Sequence, residues 1–204
     1  MFHTAIREDS SWVTIATQPA FNLTDDQFFD FCQLNPDLRL ERNAKGDIII
    51  MPPAGGVTSW RNSEIVIALG NWAKKDGRGV VFDSSGGFNL PKGGTRAPDA
   101  AWVKKSKLAT LTPAEKSKFP PICPNFVIEL RSRTDRLRDL QDKMEEYVAN
   151  GIELGWLIDP EARKVHIYRP DRPIEVLENP TAVSGEDVLP GFVLNVTELW
   201  EPNF

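Results

Sequence analysis

The sequence predicts a single mixed α/β domain in which short strands accompany two long helices. The chain has 204 residues, a length that suits one domain with one hydrophobic core. Two segments, 59–77 and 135–151, carry apolar residues at the spacing of an amphipathic helix, and short apolar runs bounded by turn residues lie between and after them. The sequence shows no internal repeat and no linker-like stretch, so we expect one domain over residues 1–204.

A helix and a hairpin are predicted at residues 21–53. Thr24 precedes Gln27 by three residues, which is the spacing of a capping box, and two aspartates directly after Thr24 favour the positive end of the helix dipole. Two short apolar runs then flank a polar turn containing Gly46, and a proline pair at 52–53 closes the second run. This pattern is typical of a β-hairpin.

The first long helix is predicted to begin at Ser59, as its N-cap, and to end near Gly77. Its apolar face consists of Ile65, Leu69, Trp72 and Ala73. The strand-like runs that follow are 80–83, 87–90 and 97–103. Because glycine-containing turns separate these three runs, we expect them to form a meander.

The second half of the chain predicts a helix between strands. A connector with five lysines from Lys104 to Lys118 is expected to be a loop with one short helix starting at Thr112. A buried strand at 125–131 precedes the second long helix, which Gly151 ends. The last predicted elements are a hairpin over 153–170 and a strand at 174–178, while the pattern around 197–200 leaves the end of the chain undetermined.

Composition excludes several classes of protein. No stretch approaches the ~20 apolar residues that a membrane helix needs, and the first residues lack the basic and apolar segments of a secretory signal. Cys32 and Cys123 are too few for a disulfide framework, so a reducing cytoplasm is the predicted compartment. The net charge of −5 argues against a protein coated in basic residues for binding phosphate, although it leaves room for a basic groove.

Two carboxylates within apolar strands are the first candidate site residues. Alternation places Glu129 on one strand face with Val127 and Arg131, and Asp99 on a face with Ala101. A carboxylate taken out of water needs an ion-pair partner or a metal ion. The alternatives are a salt bridge from Glu129 to Arg131 and a turn role for Asp99 after Pro98.

The two long helices contribute one further candidate each. Helical geometry places Glu64 about 100° from the centre of the first apolar stripe, at the margin where it can reach the edge of a sheet. It places Lys143 about 90° from the centre of the second stripe. The alternative for Lys143 is an exposed pair with Asp139, four residues earlier.

A family resemblance joins these residues. The motifs that carry it are Arg96-Ala97-Pro98-Asp99-Ala100-Ala101-Trp102-Val103, Pro124-Asn125-Phe126-Val127-Ile128-Glu129-Leu130-Arg131-Ser132, Lys143 with Tyr147 and Gly151, and Trp156-Leu157-Ile158-Asp159-Pro160. In this order the chain resembles the PD-(D/E)xK nuclease superfamily and, more closely, the Uma-type putative restriction endonuclease family. The resemblance implies a restriction-endonuclease-like α-β-β-β-α-β core over about 57–169, with the helix and hairpin of 21–53 and an extension of 170–204 added to it.

The resemblance also implies the role of each candidate. Asp99 and Glu129 would bind Mg²⁺ or Mn²⁺ together with the backbone carbonyl of Leu130. Arg131 stands where the general pattern has lysine, and in the resembling family Lys143 on the following helix supplies the missing ammonium. Glu64 matches the acid that is often found on the first helix of the superfamily.

The expected function is metal-dependent hydrolysis of DNA phosphodiester bonds by a homodimer, with two active sites for two strands. The residues predicted to contact nucleic acid are Arg96, Arg131, Arg133 and Arg136. One alternative is a nuclease-fold protein that binds nucleic acid or a protein partner without cutting, which the arginine at position 131 favours. A second alternative is a structural or regulatory protein whose acids form only internal ion pairs.

Overall fold

The computed structural model describes residues 12–203. The first eleven residues, on which the expectation about a secretory signal depends, and Phe204 at the end of the predicted extension lie outside the described part. Among the residues described, no helix combines the length and the apolar character needed to cross a membrane. Mixed α/β structure is confirmed, and the predicted helices and strands occur in the predicted order, although one helix start and one strand pairing are wrong. The structure also has elements that the sequence does not predict: a second short helix in the lysine-rich connector (Lys105–Leu108) and short strands at Val13–Ile15, Thr95–Arg96, Ala182–Ser184 and Val193–Asn195.

The helices share their order with the prediction. They are α1 (Asp25–Leu34), α2 (Gly56–Asp76), α3 (Lys105–Leu108), α4 (Pro113–Ser117), α5 (Leu137–Ala149) and α6 (Thr197–Trp200). The capping box of α1 is confirmed, because the Thr24 hydroxyl accepts from the Gln27 amide and the Gln27 side chain accepts from the Thr24 amide. Gly151 follows α5 with φ +89°, a left-handed conformation that glycine adopts without strain.

The predicted start of α2 at Ser59 is wrong. The helix begins at Gly56, and the Ser59 amide already donates to the Gly55 carbonyl at 2.9 Å, the bond of a helix interior. Gly55 is the N-cap in an extended conformation. A glycine cap offers no side-chain signal, whereas Ser59 carries the hydroxyl that is typical of a cap.

The strands form two sheets and one hairpin. They are β1 (Val13–Ile15), β2 (Arg39–Arg42), β3 (Ile48–Met51), β4 (Gly79–Asp83), β5 (Phe88–Asn89), β6 (Thr95–Arg96), β7 (Ala100–Lys104), β8 (Phe126–Leu130), β9 (Leu154–Asp159), β10 (Lys164–Tyr168), β11 (Glu175–Glu178), β12 (Ala182–Ser184) and β13 (Val193–Asn195). The first sheet, which contains the predicted β2–β3 hairpin and which we name the hairpin sheet, has the order β1-β3-β2-β6-β5. The central sheet has the order β11-β10-β9-β8-β7-β4, and β12 pairs with β13 in a separate pair of strands.

The expected meander is also wrong. β4 pairs directly with β7, whereas the run at 87–90 contributes β5, which pairs with β6 and joins the hairpin sheet through β2. Strands of two residues carry too little alternation to indicate which sheet they join.

Helices cover both faces of the central sheet. On one face, α2 and the C-terminal segment pack against Trp102, Phe126 and Trp156. On the other face, α5 packs against Val127 and Leu157. Because β8 and β9 are parallel and α5 connects them, α5 lies above the face toward which Val127 and Glu129 point.

Candidate active site

A cavity of about 330 Å³ opens where the two sheets and the two long helices meet. Its wall is formed by the start of α2, the end of β8, the loop before α5 and the hairpin sheet. The polar residues that line it include Arg39, Asn62, Asp99, Glu129, Ser132, Arg133, Thr134, Asp135 and Lys143. We name it the central cavity.

Glu129 is the most deeply buried acid of the central cavity. It is 2 % exposed, and its Oε1 accepts from the Tyr147 hydroxyl at 3.0 Å and lies 2.8 Å from the Lys143 Nζ. Burial is the main cause that raises the pKa of Glu129 to about 7; Lys143 opposes it, and the charges of Asp99 and Glu41 add to it. The negative charge of Glu129 is therefore only partly compensated by its neighbours.

Lys143 lies on the buried face of α5 and is 3 % exposed. Its Nζ is 2.8 Å from Glu129 Oε1 and 2.8 Å from Glu41 Oε1. Burial alone lowers the pKa of Lys143, but the two carboxylates outweigh burial and raise it above the ordinary value. Lys143 therefore carries a positive charge and can donate hydrogen bonds, and it does not act as a base in this state.

Asp99 lies directly before β7, at the mouth of the same cavity. Its Oδ2 accepts from the Leu130 amide at 2.9 Å, and its Oδ1 lies 3.4 Å from Arg39 Nη2 and 3.3 Å from Asn62 Nδ2. These contacts attach Asp99 to the residue that follows Glu129. The structure thus brings Asp99, Glu129 and Lys143 together around one cavity, although 44 positions separate Asp99 from Lys143 along the chain.

The two ion pairs proposed as alternatives are absent from the described structure, because Arg131 and Lys143 pair with other carboxylates. Arg131 binds Asp159 through Nη1 at 2.8 Å and donates to the Asp135 carbonyl at 3.1 Å. Lys143 contacts Glu129 and Glu41 and is buried, so the predicted exposed pair with Asp139 is not formed.

Glu64 does not join the central cavity. It is half-buried on α2 and is not among the residues that line the cavity, whereas Asn62 lines it and contacts Asp99. Asn62 lies three residues before the buried Ile65 and therefore on the same helix face, while Glu64 is about 100° away from Ile65.

The predicted nucleic-acid contacts separate into two groups. Arg96 is 5 % exposed, and its guanidinium binds Glu41 at 3.0 Å and Glu146 at 2.9 Å. The guanidinium is enclosed between these two carboxylates, so the contact of Arg96 with nucleic acid stays a prediction that no direct contact in the structure supports. Arg133 is exposed and lines the central cavity, while Arg131 and Arg136 are half-buried and are not among the residues that line it.

Sequence reasoning missed Glu41 and Arg39. Both lie on one face of β2, whose sequence Arg-Leu-Glu-Arg has three charged residues and one apolar residue, as a largely solvent-exposed strand does. Glu41 is nevertheless 0 % exposed, because the hairpin sheet packs its charged face against the motif around Asp99. No local signal distinguishes such a strand from one whose charged face meets water.

The donor set of the central cavity fits a hard divalent cation. Asp99 and Glu129 both line the cavity and offer carboxylate oxygens. Mg²⁺ and Mn²⁺ prefer such oxygen ligands, and Mg²⁺ usually keeps several waters beside one or two carboxylates. Within residues 12–203, no group of three or more His, Cys, Asp or Glu side chains is arranged to hold a metal ion.

The chain is similar to proteins described as nucleases. The model of the family Uma2, described as "Putative restriction endonuclease", matches residues 25–197. A crystal structure described as that of a putative nuclease belonging to DUF820 from Anabaena variabilis ATCC 29413 shares the fold, with 23% identity, a TM-score of 0.72, and coverage of 87% of this chain and 97% of that chain. No curated protein sequence matches significantly. Since the family model spans most of the chain, from α1 into α6, the protein belongs to the Uma2 family of putative restriction endonucleases.

Proposed function

We propose that the protein is a metal-dependent endonuclease that hydrolyses DNA phosphodiester bonds at the central cavity. The observation that carries the proposal is the contact between Lys143 and Glu129, at 2.8 Å, beside Asp99. Two carboxylates and one ammonium at a shared cavity supply the charges that phosphodiester hydrolysis requires.

Asp99 and Glu129 would hold Mg²⁺ or Mn²⁺, with the Leu130 carbonyl as a further ligand. When bound, the ion lowers the pKa of a coordinated water and offsets the charge that grows on the phosphoryl oxygens. The partly uncompensated charge of Glu129, expressed in its pKa of about 7, is a charge that such an ion would balance.

Lys143 orients the reacting groups as a hydrogen-bond donor. Its raised pKa keeps the ammonium charged, so it can hold a water or a non-bridging phosphate oxygen and stabilise negative charge there. Arg131 cannot replace it, because its guanidinium is committed to Asp159 and to the Asp135 carbonyl. Under this proposal, Lys143 supplies the ammonium that position 131 lacks.

The wall of the central cavity suits a phosphate backbone. Arg39 and the exposed Arg133 line it, and the amino terminus of α2 contributes Gly55, Gly56 and Thr58. A helix amino terminus favours an anion. A phosphodiester seated between these groups would meet positive charge on two sides.

A plasmid-cleavage assay tests the proposal. Purified protein is incubated with supercoiled and linear DNA, and with RNA, in Mg²⁺, in Mn²⁺ and in EDTA. We expect metal-dependent nicking of DNA that Asp99→Asn and Lys143→Ala each abolish. The matched controls are Glu153→Gln and Lys104→Ala, which break an ion pair of 2.6 Å outside the central cavity and should leave cleavage unchanged.

Two results would contradict the endonuclease. One is nicking that persists in Asp99→Asn, which would identify a contaminating nuclease. The other is DNA retention without cleavage in either metal, which would favour the binding protein.

A homodimer is part of the proposal, since one central cavity cuts one strand and a double-strand break needs two. Sedimentation of the protein and the ratio of linear to nicked plasmid test it together. A monomer that only nicks would contradict it.

A further inference from the structure

Glu41 connects the hairpin sheet to the central cavity. It lies on β2, is 0 % exposed, and its Oε1 accepts from Lys143 Nζ at 2.8 Å and from the Ala97 amide at 2.9 Å. Its Oε2 lies 3.0 Å from Arg96 Nη1. One carboxylate therefore holds two cations and one backbone amide.

These contacts fix the position of the Lys143 ammonium. Nζ donates to Glu41 Oε1 at 2.8 Å and to the Ala97 carbonyl at 3.4 Å, and it forms an ion pair with Glu129 Oε1 at 2.8 Å. An ammonium has three donors, and a lysine side chain is long and flexible. Since Glu41 and Ala97 occupy two of the three donors, they hold the ammonium beside Glu129 with its third donor still available, as the proposed contact with a water or a phosphate oxygen requires.

The same carboxylate also fixes the backbone that leads to Asp99. Ala97 precedes Asp99 by two residues, and its amide donates to Glu41 while its carbonyl accepts from Lys143. A displacement of Glu41 would therefore move the Lys143 ammonium and the Asp99 loop together.

We infer that Glu41 is a positioning residue for the proposed hydrolysis. It holds the Lys143 ammonium and the backbone before Asp99 at fixed positions relative to Glu129. The inference rests on the proposed function. Glu41 acts through these neighbours, because it is buried and does not line the central cavity. The hairpin sheet thereby becomes part of the active-site scaffold.

The competing explanation is that Glu41 only stabilises the fold through Arg96. Glu146 provides the matched control, since it also binds Arg96, through Oε2 at 2.9 Å, and Lys143 is not among its contacts. Loss of either carboxylate weakens the same guanidinium network. Only loss of Glu41 removes a partner of the Lys143 ammonium.

The first measurement follows the ammonium itself in metal-free, isotope-labelled protein by proton–nitrogen correlation NMR, with Lys143→Arg to assign the signal. We expect a slowly exchanging Lys143 signal in the wild type and in Glu146→Gln, and its loss in Glu41→Gln. Because loss of a buried charge can unfold the chain, Glu41→Asp, which keeps the charge but shortens the reach, is the second variant and should also lose the signal. A signal that persists in a folded Glu41 variant would overturn the inference.

The second measurement compares single-turnover cleavage of plasmid DNA with DNA affinity in EDTA. A misplacement of about 1 Å can reduce a rate about 100-fold, so we expect Glu41→Gln to lose about that factor in rate with an unchanged dissociation constant. Glu146→Gln should cleave at the wild-type rate after correction for any loss of stability. Equal losses in the two variants would overturn the positioning role while leaving the endonuclease intact, whereas an inactive wild type would overturn the endonuclease and the positioning role together.

Discussion

Two buried tyrosines allow the hydrogen bond to Glu129 to be measured against a matched control. Tyr147→Phe removes a hydroxyl that donates to Glu129 Oε1 at 3.0 Å, whereas Tyr168→Phe removes a hydroxyl that has no partner among the described residues. Both side chains are almost completely buried, at 0 % and 2 % exposure. The two substitutions therefore remove the same atom from two buried positions, and only one breaks a hydrogen bond.

The expected cost of Tyr147→Phe follows from the charge of its acceptor. A hydrogen bond to a charged group contributes about 1.5–3 kcal/mol and a neutral one about 0.5–1.5 kcal/mol. Because the pKa of Glu129 is raised to about 7, the larger cost applies well above neutral pH and the smaller one well below it. Tyr168→Phe should be neutral or slightly stabilising, since a buried hydroxyl without a partner is unfavourable.

Urea unfolding of metal-free protein on either side of neutral pH measures the loss in the free energy of unfolding. In thermal unfolding of a chain of this size, a loss of about 1.5–3 kcal/mol would lower the melting temperature by roughly 3–12 °C. Equal effects of the two tyrosine substitutions would refute the hydrogen-bond argument. A cost of Tyr147→Phe that grows as the pH falls would refute the reasoning about the charge of Glu129.

Two further predictions concern the stability of the central sheet. Gly79→Ala should destabilise by about 1–3 kcal/mol, as overpacking does, because a Cβ there would lie 2.2 Å from the Trp102 ring. Gly70→Ala on α2 is the control, because no atom lies within 4 Å of its added Cβ. Equal free energies of unfolding for the two variants would show that lack of space is not the cause. Burial lowers the pKa of His166, with Asp159 opposing and Lys164 adding to the shift, so the unfolded state binds more protons and the free energy of unfolding should fall as the pH drops through about 6.5. His166→Gln should remove that part of the pH dependence. If the free energies of unfolding of the wild type and the variant differ by a constant amount between about pH 5 and pH 7, the prediction is contradicted.

Much of the fold could be predicted where a local signal coincides with the local structure. The capping box at Thr24 and the glycine at 151 mark real helix ends, because each acts through its own backbone contacts. The start of α2 was misplaced because Gly55 caps it without a side chain. The two-residue strand β5 was misassigned because its sheet depends on pairing with β6, which no pattern within 87–90 contains.

In the candidate site, too, residues within sequence motifs could be predicted, whereas residues placed by contacts between distant elements could not. Asp99, Glu129 and Lys143 could be proposed from the motifs, and the structure brings them to one cavity. Glu41 could not, because its burial depends on the whole hairpin sheet packing against the Asp99 motif. The ion pairs of Arg96 could not be predicted for the same reason, since the two carboxylates that enclose it come from distant elements.

The proposed use of Lys143 in place of a lysine at position 131 has a topological basis. Alternation places position 131 on the same strand face as Glu129, but β8 ends at Leu130, and the Arg131 side chain instead binds Asp159 at the end of β9. α5 connects the parallel strands β8 and β9, so its buried face lies over the face of the sheet toward which Glu129 points. A lysine on that buried face therefore reaches Glu129 without being its neighbour on the strand. The ammonium can move from strand to helix because the crossover, and not the spacing along the strand, fixes its distance to the carboxylate.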